Sequence, residues 1–117
     1  MQFTLLLYSE EAGWSRLTQR EQEEAMAAYG AYIETLTEAG VLKLVDRLQP
    51  SATARTVRVA QGKTQVQEGS FSDAKEQLGG YFIIEAPDLA AALAWAERCP
   101  AASHGVVEVR PSWCRPE

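Results

Sequence analysis

Histidine and cysteine are scarce in this chain of 117 residues, which contains one histidine, His104, and two cysteines, Cys99 and Cys114. A structural zinc site needs about four nitrogen or sulfur ligands, so these three side chains argue against a zinc site built by the protein alone. We expect neither a metal site nor a cofactor. The cysteines form no CxxC pair, and each is best explained as a small apolar packing residue.

The sequence also has no concentrated positive charge and no long apolar run. Its net charge is −5, and its densest basic group, formed by Arg55, Arg58 and Lys63, is interrupted by apolar and hydroxyl residues. Nucleic-acid binding needs a clustered positive surface, and a membrane span needs about 20 apolar residues, so we expect neither. The opening MQFTLLLYSEE lacks the features of a signal peptide. We therefore expect a cytoplasmic protein with reduced thiols.

The length allows a single domain over residues 1–117. Gln2–Tyr8 and Tyr81–Glu85 are apolar on both faces, which predicts two central strands. Further strands are expected at 41–48 and 106–110, a hairpin at 55–67, and helices at 18–39 and from Asp88 onward. Gly30, inside the first helix, is expected to pack closely on the sheet. A loop is expected around Trp14.

This order of elements, β-α-β-hairpin-β-α-β, predicts an α+β ferredoxin-like sandwich with four main antiparallel strands and both helices on one face. The other face would still carry apolar side chains, which is unusual on a monomer. We therefore expect a homodimer that packs sheet face to sheet face. Phe3 or Thr4, Arg58 and Glu108 are expected near the contact, with Glu108 paired to an arginine because an unpaired buried charge is costly.

Several segments resemble the YCII-related proteins, in the branch named for its DGPF motif. The residues that carry the resemblance are FTLLLYSEE, LTEAGVL, LQPSATARTVRV, EGSFSDAKEQLGGYFIIEAPDLAAALAWAERCP and VEVRPSW, which together span most of the chain. The resemblance implies a dimeric α/β-barrel fold in a small bacterial protein. An enzymatic role has been suggested for this family, and some of its members are associated with extracytoplasmic-function sigma factors. The resemblance implies that either role is a candidate for this chain.

Two departures from the family pattern bear on function. The motif reads Glu68-Gly69-Ser70-Phe71 here, so the proline is missing and the loop should be less rigid. The shorter YCII branch carries a histidine on its first helix that is thought to act with an aspartate, and no histidine occurs between Thr18 and Ala39. A histidine–aspartate mechanism is therefore not carried over to this chain.

The segment from Glu68 to Gly80 holds the candidate catalytic groups, Glu76, Lys75 and Glu68. A carboxylate that is partly removed from water can exchange protons near neutrality, and Lys75 could hold Glu76 ionised or bind an anionic ligand. The alternative is a solvated surface ion pair of little energetic weight. We also expect the glycines of this segment to act as hinges, although close backbone packing better explains Gly79-Gly80.

Four further residues are candidates for ligand binding: Arg58, Phe71, Tyr81 and His104. An arginine can bind a carboxylate through two hydrogen bonds, and Phe71 could dock as an apolar anchor that shields a cleft. A structural role is the alternative for each: an interface ion pair for the arginine, a core or interface position for Tyr81, and an inert exposed loop for His104.

Two functions of different classes follow from these candidates. The first is a cofactor-independent enzyme that acts on a small organic molecule by proton transfer. The second is a non-catalytic module that binds a small ligand or regulates a transcription factor. An enclosed pocket with two titratable groups whose pKa values are shifted in opposite directions would favour the enzyme, whereas a shallow or filled cleft would favour the binding module.

Overall fold

The computed structural model describes residues 1–113. Its strands and helices, in chain order, are β1 (Gln2–Glu10), α1 (Glu11–Arg16), α2 (Gln19–Glu38), β2 (Leu42–Arg47), β3 (Arg55–Ala60), β4 (Lys63–Glu68), β5 (Glu76–Glu85), α3 (Leu89–Glu97) and β6 (Val106–Pro111). Short 3-10 turns lie at Ser51–Thr53 and Pro100–Ser103. The predicted α+β order is confirmed, with one additional helix. The predicted loop around Trp14 is instead α1, whose acidic first turn and basic last turn suit the helix dipole.

The main sheet has four antiparallel strands in the order β2-β5-β1-β6. The two strands that are apolar on both faces, β1 and β5, are therefore central, as the sequence predicts. Helices α2 and α3 share one core with this sheet. Its buried apolar residues are Phe3, Leu5, Leu7, Tyr32, Leu36, Phe82, Ile84, Ala86, Ala92, Ala96, Cys99 and Ala101.

The ends of the two long helices follow the capping signals in the sequence. The backbone N–H of Glu21 donates to the Thr18 hydroxyl at 3.1 Å, and the Thr18 N–H donates to the Glu21 carboxylate at 3.0 Å. This reciprocal pair satisfies two backbone donors that the helix leaves free. The Asp88 carboxylate accepts from the Ala91 N–H at 2.9 Å and begins α3. Gly40, with a φ of 73°, follows α2 in the left-handed conformation.

The expected close packing at Gly30 is wrong. Gly30 is exposed, and a Cβ atom placed there would have no other atom within 4 Å. The side of α2 that faces the sheet is instead defined by Tyr32 and Leu36, which are both buried. None of the helices in residues 1–113 is long and apolar enough to cross a membrane.

Strand β5 begins five residues earlier than predicted, at Glu76, and it contains Gly79-Gly80. A Cβ atom on Gly80 would lie 2.7 Å from the carbonyl oxygen of Asp46 on the neighbouring strand. Close backbone packing therefore explains this glycine. The expected hinge at Gly79-Gly80 is wrong because the sheet holds both residues. Gly80 is paired with Leu7 and Arg47, and Gly79 is a bulged residue whose carbonyl oxygen accepts a hydrogen bond from the Leu48 N–H at 2.9 Å. The connection between β4 and β5 is limited to residues 69–75.

The sheet face away from the helices, called the open face here, keeps an apolar centre. The strand register assigns it Thr4, Leu6, Tyr8, Leu44, Asp46, Leu78, Tyr81, Ile83, Val106, Glu108 and Arg110. Glu108 pairs with an arginine as expected, since it accepts a hydrogen bond from Arg110 on the same strand. Of the two alternatives expected near a dimer contact, Thr4 lies on this face, whereas Phe3 is buried beneath the helices.

Strands β3 and β4 form a separate two-stranded sheet, called the arm here (Arg55–Glu68). Gln61 and Gly62 join them with φ angles of 52° and 75°, as a tight hairpin turn requires. The arm strands pair with each other and make no extensive contact with another helix or strand in residues 1–113. The Cα radius of gyration is 16.3 Å, compared with about 13 Å for a compact domain of this length. The arm therefore extends away from the rest of the chain, called the body here.

Candidate ligand-binding and catalytic site

A cleft of about 330 Å³ lies where the arm leaves the body. It is lined by Leu48, Gln49, Ser51, Thr53, Ala54, Ser70, Gln77 and Leu78. The first five belong to the connection between β2 and the arm, and the last two belong to the start of β5. The base of the arm is therefore one wall of the cleft, and the beginning of a central strand is the other.

Hydrogen bonds hold the short connection that precedes β5 in one conformation. The side-chain amide of Gln77 donates to the carbonyl oxygen of Ser72 at 2.9 Å and to that of Ala74 at 2.7 Å. The Ser70 hydroxyl donates to the same Ser72 carbonyl at 2.8 Å. Both Ser70 and Gln77 line the cleft, so these bonds fix the approach of the chain to Lys75.

Two carboxylates face each other across the central strands next to the cleft. Glu10 of β1 is directly opposite Glu76 of β5, and the register places Glu76 on the same side of the sheet as Leu78, which lines the cleft. Like charges at opposed strand positions destabilise a sheet. The ammonium group of Lys75 offsets this repulsion, since its Nζ lies 3.1 Å from Glu10 Oε1. Lys75 is therefore paired with Glu10 rather than with its predicted partner, Glu76.

A third carboxylate fixes the cleft wall that precedes the arm. Glu11 accepts hydrogen bonds from the backbone N–H of Ser51, at 2.6 Å, and from the Ser51 hydroxyl. These bonds tie the turn at Ser51–Thr53 to the start of α1, directly after β1. Sequence reasoning missed Glu10, Glu11 and Ser51, because their contacts join distant parts of the chain. The available signal was a pair of acidic residues directly after an apolar strand.

The candidates on the arm and its connection lie beside the cleft rather than inside it. Glu68 is exposed at the end of β4, opposite Arg55. The Arg58 guanidinium carbon lies 5.8 Å from the centroid of the Phe71 ring, so the structure brings these two candidates together. Phe71 is 76% exposed and is not docked in the cleft. In one chain it does not act as the expected apolar anchor.

The remaining two candidates lie elsewhere on the sheet. Tyr81 is half-buried on the open face, opposite Leu6 of β1 and Asp46 of β2. His104 is exposed just before the edge strand β6, and its ring lies 3.4 Å from the Ser103 hydroxyl. Neither residue lines the cleft. Their assignment as ligand-binding residues stays a prediction.

The groups whose pKa is shifted most strongly belong to the core. Burial raises the pKa of Tyr29 to about 12 and also raises the pKa values of Tyr32 and Cys99. The Tyr32 hydroxyl donates to the Trp95 carbonyl at 2.7 Å, which gives it a packing role. Cys99 is a buried apolar filler as expected, and Cys114 lies outside the described residues. Residues 1–113 contain no cluster of three His, Cys, Asp or Glu side chains arranged for a metal ion.

The model of the YCII-related domain family matches residues 1–113. The chain is a YCII-related protein. An uncharacterised protein of Rhizobium meliloti (strain 1021) is 37% identical over 113 residues, which cover 95% of this chain and 91% of the relative. The match to the family model confirms the family that the sequence resembles.

A solved structure shares the fold of this YCII-related protein. It is the 5-chloro-2-hydroxyhydroquinone dehydrochlorinase of Burkholderia phenoliruptrix AC1100 in complex with 2,5-dihydroxybenzoquinone. The TM-score is 0.55 at 17% sequence identity, and the match covers 96% of this chain and 93% of the enzyme. At this identity the comparison establishes the ferredoxin-like α+β fold.

Proposed function

We propose that this YCII-related protein is a cofactor-independent enzyme that moves a proton on a small organic molecule bound at the cleft. The observation that carries the proposal is the placement of ionisable groups at the start of β5. Glu76 and Lys75 directly precede Gln77 and Leu78, which line the cleft, and Glu10 faces Glu76 from β1. A rigid strand end is a favourable position for a reacting group, because neighbouring strands fix its direction.

The proposed chemistry assigns one role to each group. The Glu76 carboxylate takes a proton from a carbon or hydroxyl of the substrate, and the electron pair stays on the substrate as an oxyanion. The Lys75 ammonium stabilises that negative charge. Return of the same proton to another atom completes an isomerisation and restores the carboxylate. Glu68, at the base of the arm, is the alternative proton carrier on the opposite side of the cleft.

The structural neighbour supports a small oxygenated ring as the first substrate class to examine. That enzyme holds 2,5-dihydroxybenzoquinone on the same fold. A dihydroxyquinone has acidic hydroxyl groups and exchangeable ring hydrogens, so it suits a site that combines carboxylates with an ammonium group. A cleft of about 330 Å³ falls at the lower end of the range of typical small-molecule sites.

We also propose that the working form is a homodimer joined through the open faces. Leu44 and Val106 lie on this face on either side of its largely apolar centre. Their side chains are 49% and 47% exposed, so apolar surface is left uncovered in a single chain. Apolar patches of this kind mark interaction sites, and a two-fold pair would cover both copies with the same surface. Since Glu76 and Leu78 share this side of the sheet, a second copy would also narrow the open side of the cleft.

Proton transfer can be measured directly by hydrogen exchange at the ligand. We would follow the loss of the ring-proton NMR signal of 2,5-dihydroxybenzoquinone in deuterated buffer, with and without the protein. We expect the wild type to accelerate the exchange and Glu76→Gln to lose roughly a hundredfold or more of that acceleration, the usual contribution of a general base. Glu34→Gln, an exposed substitution on α2, is the matched control and should exchange as the wild type does.

The second candidate is a ligand-binding module without catalysis. It is favoured by the shape of the cleft, which a single chain leaves open to solvent. Binding of the quinone without faster exchange would support this candidate and contradict the enzymatic one. An association with a sigma factor stays a prediction from the family resemblance.

A further inference from the structure

The arm has one apolar face that its own chain leaves uncovered. Val57 and Val66 are directly opposed across the hairpin, and Val59 lies two residues further along the same face. These side chains are 61%, 62% and 66% exposed. The opposite face carries polar and basic side chains, including Arg58 and Gln65. The arm is therefore amphipathic, like a strand pair that packs against a second surface.

An uncovered apolar hairpin is a liability, because exposed strands with apolar side chains invite pairing and aggregation. The body does not cover this face, since the arm strands make no extensive contact with another helix or strand in residues 1–113. A partner that covers the arm is the remaining way to bury the three valines.

The charge distribution indicates what kind of partner this is. The arm carries three basic residues and one acidic residue, a net charge of +2, whereas the whole chain carries −5, which leaves −7 for the rest of the protein. A positive arm is attracted to a surface with an excess of negative charge. The body of a second copy provides that excess, and two-fold symmetry lets the two arms be covered reciprocally.

We propose that the arm of each chain packs its valine face on the body of a second copy. This arm contact is separate from the open-face interface proposed above and adds to it. Each chain would then contact its partner through both the open face and the arm. The contribution of a sheet-face contact and that of the arm can therefore be separated by mutation.

Docking of the arm also fixes the cleft, a consequence that rests on the proposed function. The base of the arm is closed by a hydrogen bond from the Gly69 N–H to the Ala54 carbonyl at 2.8 Å. The Thr56 hydroxyl donates to the Gly69 carbonyl at 2.9 Å. Ala54 and the neighbouring Ser70 line the cleft. A partner that holds the arm therefore also holds this wall, and the cleft of a free chain is incomplete.

Two substitutions on adjacent residues of β4 test the arm contact. Val66→Glu places a charge on the valine face, and Gln65→Glu places the same charge on the opposite face. Both positions are exposed in a single chain, so neither change should prevent folding, and far-UV circular dichroism checks this. Dimer dissociation constants would be measured by sedimentation over a dilution series. We expect Val66→Glu to raise the constant roughly a hundredfold or more, because a buried unpaired charge is costly, and Gln65→Glu to change it less than about threefold.

Three outcomes of the sedimentation experiments would decide against the arm contact. Equal dissociation constants for the two variants would overturn it, as would a wild type that sediments as a monomer at all concentrations. A dimer that dissociates with Leu6→Glu, on the open face, but persists with Val66→Glu would leave the face-to-face contact and overturn the arm. If the wild type forms a dimer but does not accelerate ring-proton exchange of the quinone, the proposed function is contradicted and the arm contact is not.

Discussion

Replacing Gly80 by alanine should force two strands of the sheet apart. Gly80 lies in β5 between Leu7 of β1 and Arg47 of β2. The new Cβ would lie 2.7 Å from the Asp46 carbonyl oxygen and 3.5 Å from the Arg47 Cα. Both are backbone atoms, so no side chain can rotate away and β2 must shift. Overpacking of this kind costs about 1–3 kcal/mol of the free energy of unfolding.

The neighbouring glycine is a matched control for this substitution. At Gly79 the nearest atom to a new Cβ would be the Leu7 carbonyl oxygen at 4.0 Å, an ordinary contact. Gly79→Ala should therefore stabilise the protein by about 0.4–1 kcal/mol, because alanine restricts the unfolded chain. Urea unfolding at one fixed protein concentration would compare both variants, since the stability of the proposed dimer would depend on concentration. Equal midpoints for the two variants would refute the close approach at Gly80.

Three further predictions concern the helices and the core. Gly30→Ala should stabilise the protein by about 1 kcal/mol, since the new methyl group meets no atom and alanine favours the helix; urea unfolding measures this, and a loss of stability would contradict it. Hydrogen bonds from the Thr18 backbone and hydroxyl lower the pKa of Glu21 below its ordinary value of 4.5. The ionised Glu21 carboxylate therefore stabilises the fold above that pH, and this contribution disappears as the pH falls below it. Between about pH 6 and about pH 3, the melting temperature should therefore fall less for Glu21→Gln than for the wild type. Burial raises the pKa of Cys99, so in Cys114→Ser the remaining thiol should react with a disulfide reagent only at the rate at which the core opens. A fast reaction would show that Cys99 is accessible.

Much of the fold could be predicted because local signals agree with the tertiary packing. The apolar pattern of β1 identifies a central strand, and the residues around Thr18 and Asp88 fix two helix starts through short-range hydrogen bonds. The turn at Gln61-Gly62 has positive φ angles at both positions, and the sequence pattern predicts the one at the glycine. These features depend on residues close together in the chain, so they can be read without a structure.

The start of β5 could not be predicted because tertiary pairing overrides local preference there. Glu76-Gln77 and Gly79-Gly80 are poor strand formers by composition. They nevertheless belong to a strand, because Glu76 and Gln77 pair with β1, and Gly80 pairs with both β1 and β2. The loop predicted from Glu68 to Gly80 was therefore too long. The hinges predicted at Gly79-Gly80 fall on residues that the sheet holds in place.

The composition of the candidate site was predicted in part. Lys75 and Glu76 directly precede Gln77 and Leu78, which line the cleft, but both side chains are exposed rather than partly removed from water. Glu10 is the last residue of β1 and Glu11 the first residue of α1, and the bond between Glu11 and Ser51 spans 40 residues of sequence. No local pattern encodes such a contact. The projection of the arm was missed for the same reason, since alternating valines look the same in a covered hairpin and in an exposed one.

The most direct test of the proposed site is a map of where the quinone binds. Backbone amide NMR signals of the labelled protein would be followed during titration with 2,5-dihydroxybenzoquinone. We predict that the largest shifts lie at residues 48–54 and 70–78, which surround the cleft, with smaller shifts along α2. Shifts concentrated on the helices, or no shift at residues 70–78 under conditions where the ligand binds, would contradict the assignment of the cleft as the functional site.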